Sequence, residues 1–174
     1  MAVVFCFEYI LFIFETIGLR RWRIGSHGTV RNGAILGKTR HREGHTLVGR
    51  ILVIDDDPGV RDAFSMALED TRYEVVSAED GQKGLELARM YEPDLVLLDL
   101  KMPGMSGVET LRHLHGICPG VPVYIVTAFY GEFLEPLRAI QDEGIPFDLA
   151  RKPLALDEIR TIVDSVMGTQ MVTA

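Results

Sequence analysis

A chain of 174 residues that is 47% hydrophobic and 25% charged has room for one core and an arm, which excludes a second domain of ordinary size. The absence of repeats and low-complexity tracts excludes a collagen-like rod and whole-chain disorder, and the two distant cysteines, Cys6 and Cys118, exclude a disulfide framework or zinc site and read as apolar filler. The net charge of -7 is split, with 7 Lys+Arg against 3 Asp+Glu in residues 1–48 (+4) and 11 against 22 in residues 49–174 (-11), so the acidic part would repel a nucleic acid.

Residues 1–19 form an apolar run interrupted by Glu8 and Glu15 and followed by Arg20, Arg21, Trp22 and Arg23. The length is borderline for a membrane span, and each carboxylate near a bilayer centre costs about 2.5 kcal/mol or more. No charged region precedes the run, so it reads badly as a secretory signal. Residues 1–24 are thus expected to be an arm that can touch a membrane, with the basic cluster placing the rest in the cytoplasm. From Gly25 to Gly49 the Gly, Arg, His and Thr residues show little periodicity and predict a mobile linker. His41 and His45 have a four-residue spacing, but with Gly44 between them and no third ligand they read as solvated. The alternative is a start placed too early, translation beginning near Leu47 or Val48, because nothing in residues 25–48 looks able to bury a core.

After Gly49 the pattern becomes regular. Ile51 to Ile54 is a continuous apolar run ending in acid, which predicts a strand buried on both faces of a parallel sheet. Further strands are predicted at Tyr73 to Ala78, Leu95 to Leu98 and Val121 to Val126, with a weaker one around Pro146 to Ala150. Between them, Val60, Phe64, Ala67 and Leu68 recur at helical spacing, as do Leu85, Leu87 and Ala88. The same spacing links Val108, Leu111 and Leu114, then Leu134, Leu137 and Ile140, and last Ile159, Ile162, Val163 and Val166. Alternating strands and helices imply an α/β doubly wound five-stranded parallel sheet with helices on both faces.

In such a sheet, reactive groups collect at the carboxyl ends of the strands. Asp55, Asp56 and Asp57 follow the first strand, Asp99 ends the third, Thr127 ends the fourth and Lys152 follows the fifth. Converging carboxylates repel one another unless a cation compensates. Oxygen ligands fit Mg2+ better than zinc, which has no His or Cys available at these strand ends. Lys152 can ion-pair with a phosphoryl group, Thr127 supplies a hydroxyl, and an attacking carboxylate gives an acyl phosphate. Blander roles compete. An Asp after a strand is commonly a helix cap, the role assigned to Asp57 before Pro58. Asp99 could be a turn residue before a Pro-Gly loop and Thr127 an ordinary strand-end hydroxyl, but capping does not explain the distant acids and Lys152. Met102, Pro103, Gly104 and Gly107 read as loop geometry.

The runs Ile51-Leu-Val-Ile-Asp-Asp-Asp57, Leu95-Val-Leu-Leu-Asp-Leu-Lys-Met-Pro-Gly-Met-Ser-Gly107, Val126-Thr-Ala128 and Lys152-Pro153, in that order and at about these separations, resemble the receiver domain of two-component response regulators. The resemblance covers residues 50–168 and implies a flavodoxin-like fold with strand order 2-1-3-4-5. Matched residue by residue, it implies Asp99 as phosphoacceptor and Mg2+ ligand, Asp55 and Asp56 as the acidic pair at the Mg2+, and the backbone carbonyl of Lys101 as a further ligand. It also implies that Thr127 and Lys152 bind the phosphoryl group, and that the Lys152-Pro153 peptide is cis. A histidine kinase or phosphotransfer protein is then the upstream partner. Phosphorylation is expected to draw Thr127 and Lys152 inward and shift the surface of the fourth helix and fifth strand toward a partner-binding form.

The sequence departs from the family at three points. Leu149 stands where the family usually has an aromatic switch residue, and Phe147 is expected to point to the other face. Thr127 and Lys152 are 25 positions apart, a few more than usual, and Pro136 predicts a fourth helix starting at about Glu135. Lys101 and Phe129 flank the site, and the bulk of Phe129 predicts slow loss of phosphate. With the chain ending seven residues after Met167, output is expected by contact with an unknown protein target, the organisation being an extension 1–48, a receiver 49–170 and a tail 171–174. Two rivals are weighed. A haloacid-dehalogenase-like phosphatase would use Asp55 and Asp57, but Gly59 stands where its motif wants Thr or Val. A non-phosphorylated pseudo-receiver would have lost an acid or the lysine, and none is lost.

Overall fold

The computed structural model describes residues 40–42 and 45–172. The readings made for residues 1–24, including the membrane contact and Cys6, lie outside the described residues. Five strands form one parallel sheet: β1 (Gly49–Ile54), β2 (Tyr73–Ala78), β3 (Leu95–Leu98), β4 (Val123–Thr127) and β5 (Asp148–Arg151), in the order β2-β1-β3-β4-β5. The helices that alternate with them are α1 (Pro58–Leu68), α2 (Gly81–Tyr91), α3 (Gly107–Ile117), α4 (Leu134–Asp142) and α5 (Leu156–Val172). This is the doubly wound fold that the alternation of strands and helices predicts, in the order 2-1-3-4-5 that the family resemblance implies.

The central strands are apolar throughout because both faces of the sheet are covered. Leu52, Ile54, Val96, Leu98 and Ile125 pack on one side with Leu85 and Ala88 of α2, Leu111 and Leu114 of α3, and Leu137 and Ile140 of α4. Ile51, Val53, Leu95 and Leu97 turn to the other side, as strand alternation requires, and meet Phe64, Ala67 and Leu68 of α1 and Ile159, Val163 and Met167 of α5. The helix positions read from apolar spacing fall on these two cores, except Leu134 and Ile162, which belong to neither.

Differences arise at edges and ends. β4 starts at Val123, not Val121, because Pro122 has no N–H for the ladder and contributes its carbonyl to Val96 N at 3.0 Å. β5 is Asp148–Arg151, displaced from the expected 146–150, and as an edge strand it exposes both end residues. Phe147 therefore precedes the strand. It packs on the same core cluster as Leu149, which corrects the expectation that the two face opposite ways: residues two apart in extended chain share a side. A 3-10 turn at Tyr130–Phe133 leads into α4 at Leu134, one residue before the predicted start, with Pro136 in the first turn.

Part of the expected linker forms regular structure: Arg40–Arg42 pairs antiparallel with His45–Leu47. Strands of three residues give too few positions for a period to be read. The helical spacing of His41 and His45 is thus irrelevant, since they lie on facing strands, His41 opposite Thr46 and His45 opposite Arg42. Among the described residues, no helix is long and apolar enough to cross a membrane.

Candidate functional site

Strand register sets the height of the site. Ile54 is level with Leu98, so Asp55 and Asp99, the next residues, leave neighbouring strands together. Thr127 is level with Arg151, so Lys152 leaves β5 one residue beyond it, and Lys152 N donates to Thr127 O at 3.1 Å. The Lys152-Pro153 peptide is cis, as expected.

Asp55, Asp56 and Asp99 each place a carboxylate oxygen within 4.8 Å of the others. Asp55 and Asp99 are 2% and 4% exposed, whereas Asp56 is open to solvent. Lys152 Nζ lies 2.5 Å from Asp55 Oδ2 and 3.4 Å from Asp99 Oδ1. Asp55 Oδ1 accepts from Asp57 N at 3.1 Å, and Asp99 Oδ2 accepts from Lys101 N at 3.2 Å. Burial pushes the Asp55 carboxyl above its ordinary pKa; the hydrogen bond and charge of Lys152 act against this, as does Asp57 N–H, while Asp99 adds to it. Thr127 is fully buried, and its Oγ1 accepts from Phe129 N at 3.1 Å, which ties the turn after β4 to the site.

These donors fit a hard divalent cation. Asp99 Oδ1 is buried without a hydrogen-bond partner, and its contact with Lys152 is ionic at a longer range than a good hydrogen bond. Three carboxylates against one ammonium leave a formal charge of -2 among the side chains that meet, and all three candidate ligands are oxygens. The carboxylate of Asp57 is not among those that converge. It caps α1 by accepting from Gly59 N at 2.8 Å, with Pro58 in the first turn, the role the sequence predicts for it.

The Lys101 side chain turns away from the acids. Its Nζ sits 3.9 Å from the centroid of the Phe129 ring and 3.0 Å from Glu132 Oε2, bridging the loops after β3 and β4 across the rim. Glu132 carried no signal in the sequence because nothing there shows that the 3-10 turn faces Lys101. Gly107 is also more than loop geometry: a Cβ there would stand 2.1 Å from Asp99 O and 2.6 Å from Leu100 Cα. Gly107 N donates to Leu100 O at 2.9 Å, so α3 begins directly against the main chain that carries Asp99. Ser106 and Glu109 complete that start with a reciprocal capping box. Cys118 is partly buried against the core, the filler role expected of it.

A family profile described as response regulator receiver domain matches residues 51–164. Sporulation initiation phosphotransferase F of Bacillus subtilis is 37% identical over 114 residues, which cover 66% of this chain and 90% of that protein. The transcriptional regulatory protein GlrR of Escherichia coli is 33% identical over 117 residues, 67% of this chain. The response regulator MprA of Mycolicibacterium vanbaalenii is 37% identical over 112 residues, 63% of this chain. The chain spans only 26% of GlrR and 46% of MprA. Among solved structures, a CheY-like receiver domain protein from Methanospirillum hungatei superposes with a TM-score of 0.65 at 28% identity, covering 72% of this chain and 98% of its own. Chemotaxis protein CheY4 of Vibrio cholerae, with a TM-score of 0.60 at 24% identity over 68% of this chain and 98% of its own, shares the fold. Phosphorylation and Mg2+ binding are typical of proteins of this kind, which work with histidine kinases or phosphotransfer proteins in two-component systems. The chain belongs to the response regulator receiver domain family.

Proposed function

We propose that residues 49–170 accept a phosphoryl group on Asp99 in a Mg2+-dependent step, and that the protein signals in the cytoplasm by phosphorylation-dependent contact with another protein. The observation that carries this reading is the convergence of Asp55, Asp56 and Asp99, with Asp99 Oδ1 buried and without a hydrogen-bond partner. Asp99 Oδ1 or Oδ2 attacks phosphorus of a phosphohistidine donor, the P–N bond breaks, and the imidazole leaves as an acyl phosphate forms. Asp55, Asp56 and Asp99, with the Lys101 carbonyl, would hold the cation, which supplies neutralisation of charge on the transferring group. Lys152 would pair with the phosphoryl oxygens, a role supported by its contacts with Asp55 at 2.5 Å and Asp99 at 3.4 Å. The Thr127 hydroxyl keeps its proton free for donation, because its oxygen is the acceptor in the bond from Phe129 N.

The upstream donor is then a histidine kinase or phosphotransfer protein. A stand-alone organisation is favoured by the match that spans 90% of sporulation initiation phosphotransferase F, a protein whose name describes phosphoryl transfer. A beryllofluoride titration with Mg2+ tests the reading. Saturable spectral change in the native protein and none in Asp99→Asn is the expected result, and equal responses in the two would refute it.

A further inference from the structure

Arg61 lies outside the motifs on which the family resemblance was drawn. From α1 it reaches back over the loop that carries the acids, where its Nη1 donates to Asp55 O at 2.7 Å and to Asp56 O at 3.0 Å. Its own main-chain N–H donates to Asp57 O at 3.2 Å. Asp57 in turn donates its N–H to Asp55 Oδ1 at 3.1 Å and caps Gly59 with its carboxylate. The loop is thereby closed from both ends, and two consecutive peptide planes are pinned by one guanidinium nitrogen.

A carbonyl held in place fixes the ψ angle of its residue and so the direction in which the chain on either side runs. We infer that Arg61 is a positioning residue of the acid cluster, holding the main chain of Asp55 and Asp56 so that both carboxylates stay aimed at one cation. The inference rests on the reading of that cluster as a cation site. Two effects of the guanidinium oppose each other. Its positive charge, close to the cluster, weakens cation binding by Coulomb repulsion, while its hydrogen bonds preorganise the ligands. The sign of a substitution therefore separates them. Arg61→Met removes both, so the Met variant binds Mg2+ more tightly if charge dominates and more weakly if placement does. Arg61→Lys keeps the charge but loses the planar donor with two fixed directions.

The test is a calorimetric titration of the full chain with Mg2+ alone, beside circular dichroism and urea unfolding in EDTA to establish that each variant is folded. Placement predicts that Arg61→Met and Arg61→Lys each weaken Mg2+ binding by about tenfold, the low end for loss of a group that orients ligands. If Arg61→Met does not fold, Arg61→Lys carries the test. Native or tighter Mg2+ affinity in the folded variants overturns the inference. Asp56→Asn, run in parallel, guards the underlying reading: if it too binds Mg2+ as the native protein does, the cation-site assignment falls, independently of Arg61.

Discussion

Lys152 Nζ sits 2.5 Å from Asp55 Oδ2, so the ammonium that would meet an incoming phosphoryl group is held by an acid of the neighbouring cluster. Asp55 is almost wholly buried and Lys152 largely so. Removing one partner of such a pair leaves the other charged and unpaired, which costs about 3 kcal/mol at the lower end of the range for buried pairs. Lys152→Met is expected to lower metal-free stability by about that amount. Saturating Mg2+ is expected to restore more stability to the variant than to the native protein, because a cation replaces the lost countercharge. Equal gains with Mg2+ in urea unfolding would contradict this.

The raised Asp55 pKa carries a pH dependence with a definite sign. Burial, the largest cause, disfavours the charged form in the folded state. The contribution of this group to stability is therefore fully present below the ordinary carboxyl value of 3.8 and is lost as pH rises through the raised value. In EDTA, native stability is expected to fall more steeply than that of Asp55→Asn between the ordinary value of 3.8 and the raised one, and to run parallel to it above. Unfolding curves across the acidic range check it, and parallel slopes would refute it.

Gly107 ties the first turn of α3 to the main chain at the end of β3, since a Cβ would meet Asp99 O at 2.1 Å and backbone cannot yield as a side chain does. Gly107→Ala is expected to cost about 1–3 kcal/mol as overpacking. Because the displaced atoms belong to Asp99 and Leu100, phosphoryl uptake should fall even where the variant is fully folded. Native uptake rates in the folded variant would show that the close approach serves stability alone.

Sequence legibility followed the physics of each signal. β1 and β3 were readable to the residue or nearly so because burial on both faces makes them continuously apolar, and their ends placed Asp55 and Asp99 at one rim. β5 was shifted because an edge strand with exposed ends carries little pattern. Asp57 was legible as a cap from its neighbour Pro58, a local signal. Arg61, Glu132 and the close approach of Gly107 were not, since each depends on which distant or looping main chain a residue meets. Pro122 could have been used to set the start of β4, for it announces a missing donor in the sequence itself.

Phe129 is 40% exposed at the rim, with the Lys101 ammonium over its ring and Glu132 paired to that ammonium. If Asp99 carries the phosphoryl group, this cluster at the rim is expected to hinder an attacking water. Phe129→Ala is expected to speed loss of phosphate by several-fold while leaving stability within about 0.5 kcal/mol, as for an exposed position. Decay of the phosphorylated form, followed after removal of donor, tests this. An unchanged lifetime in the variant, or a native lifetime of seconds, would contradict it.

The central claim is that Asp99 takes the phosphoryl group with the help of its acid neighbours. Intact mass after incubation with acetyl phosphate and Mg2+, with and without EDTA, addresses it most directly. One phosphoryl group on the native chain, lost with EDTA and absent from Asp99→Asn and Asp56→Asn, is the result expected. Equal phosphorylation of native protein and Asp99→Asn would contradict the account.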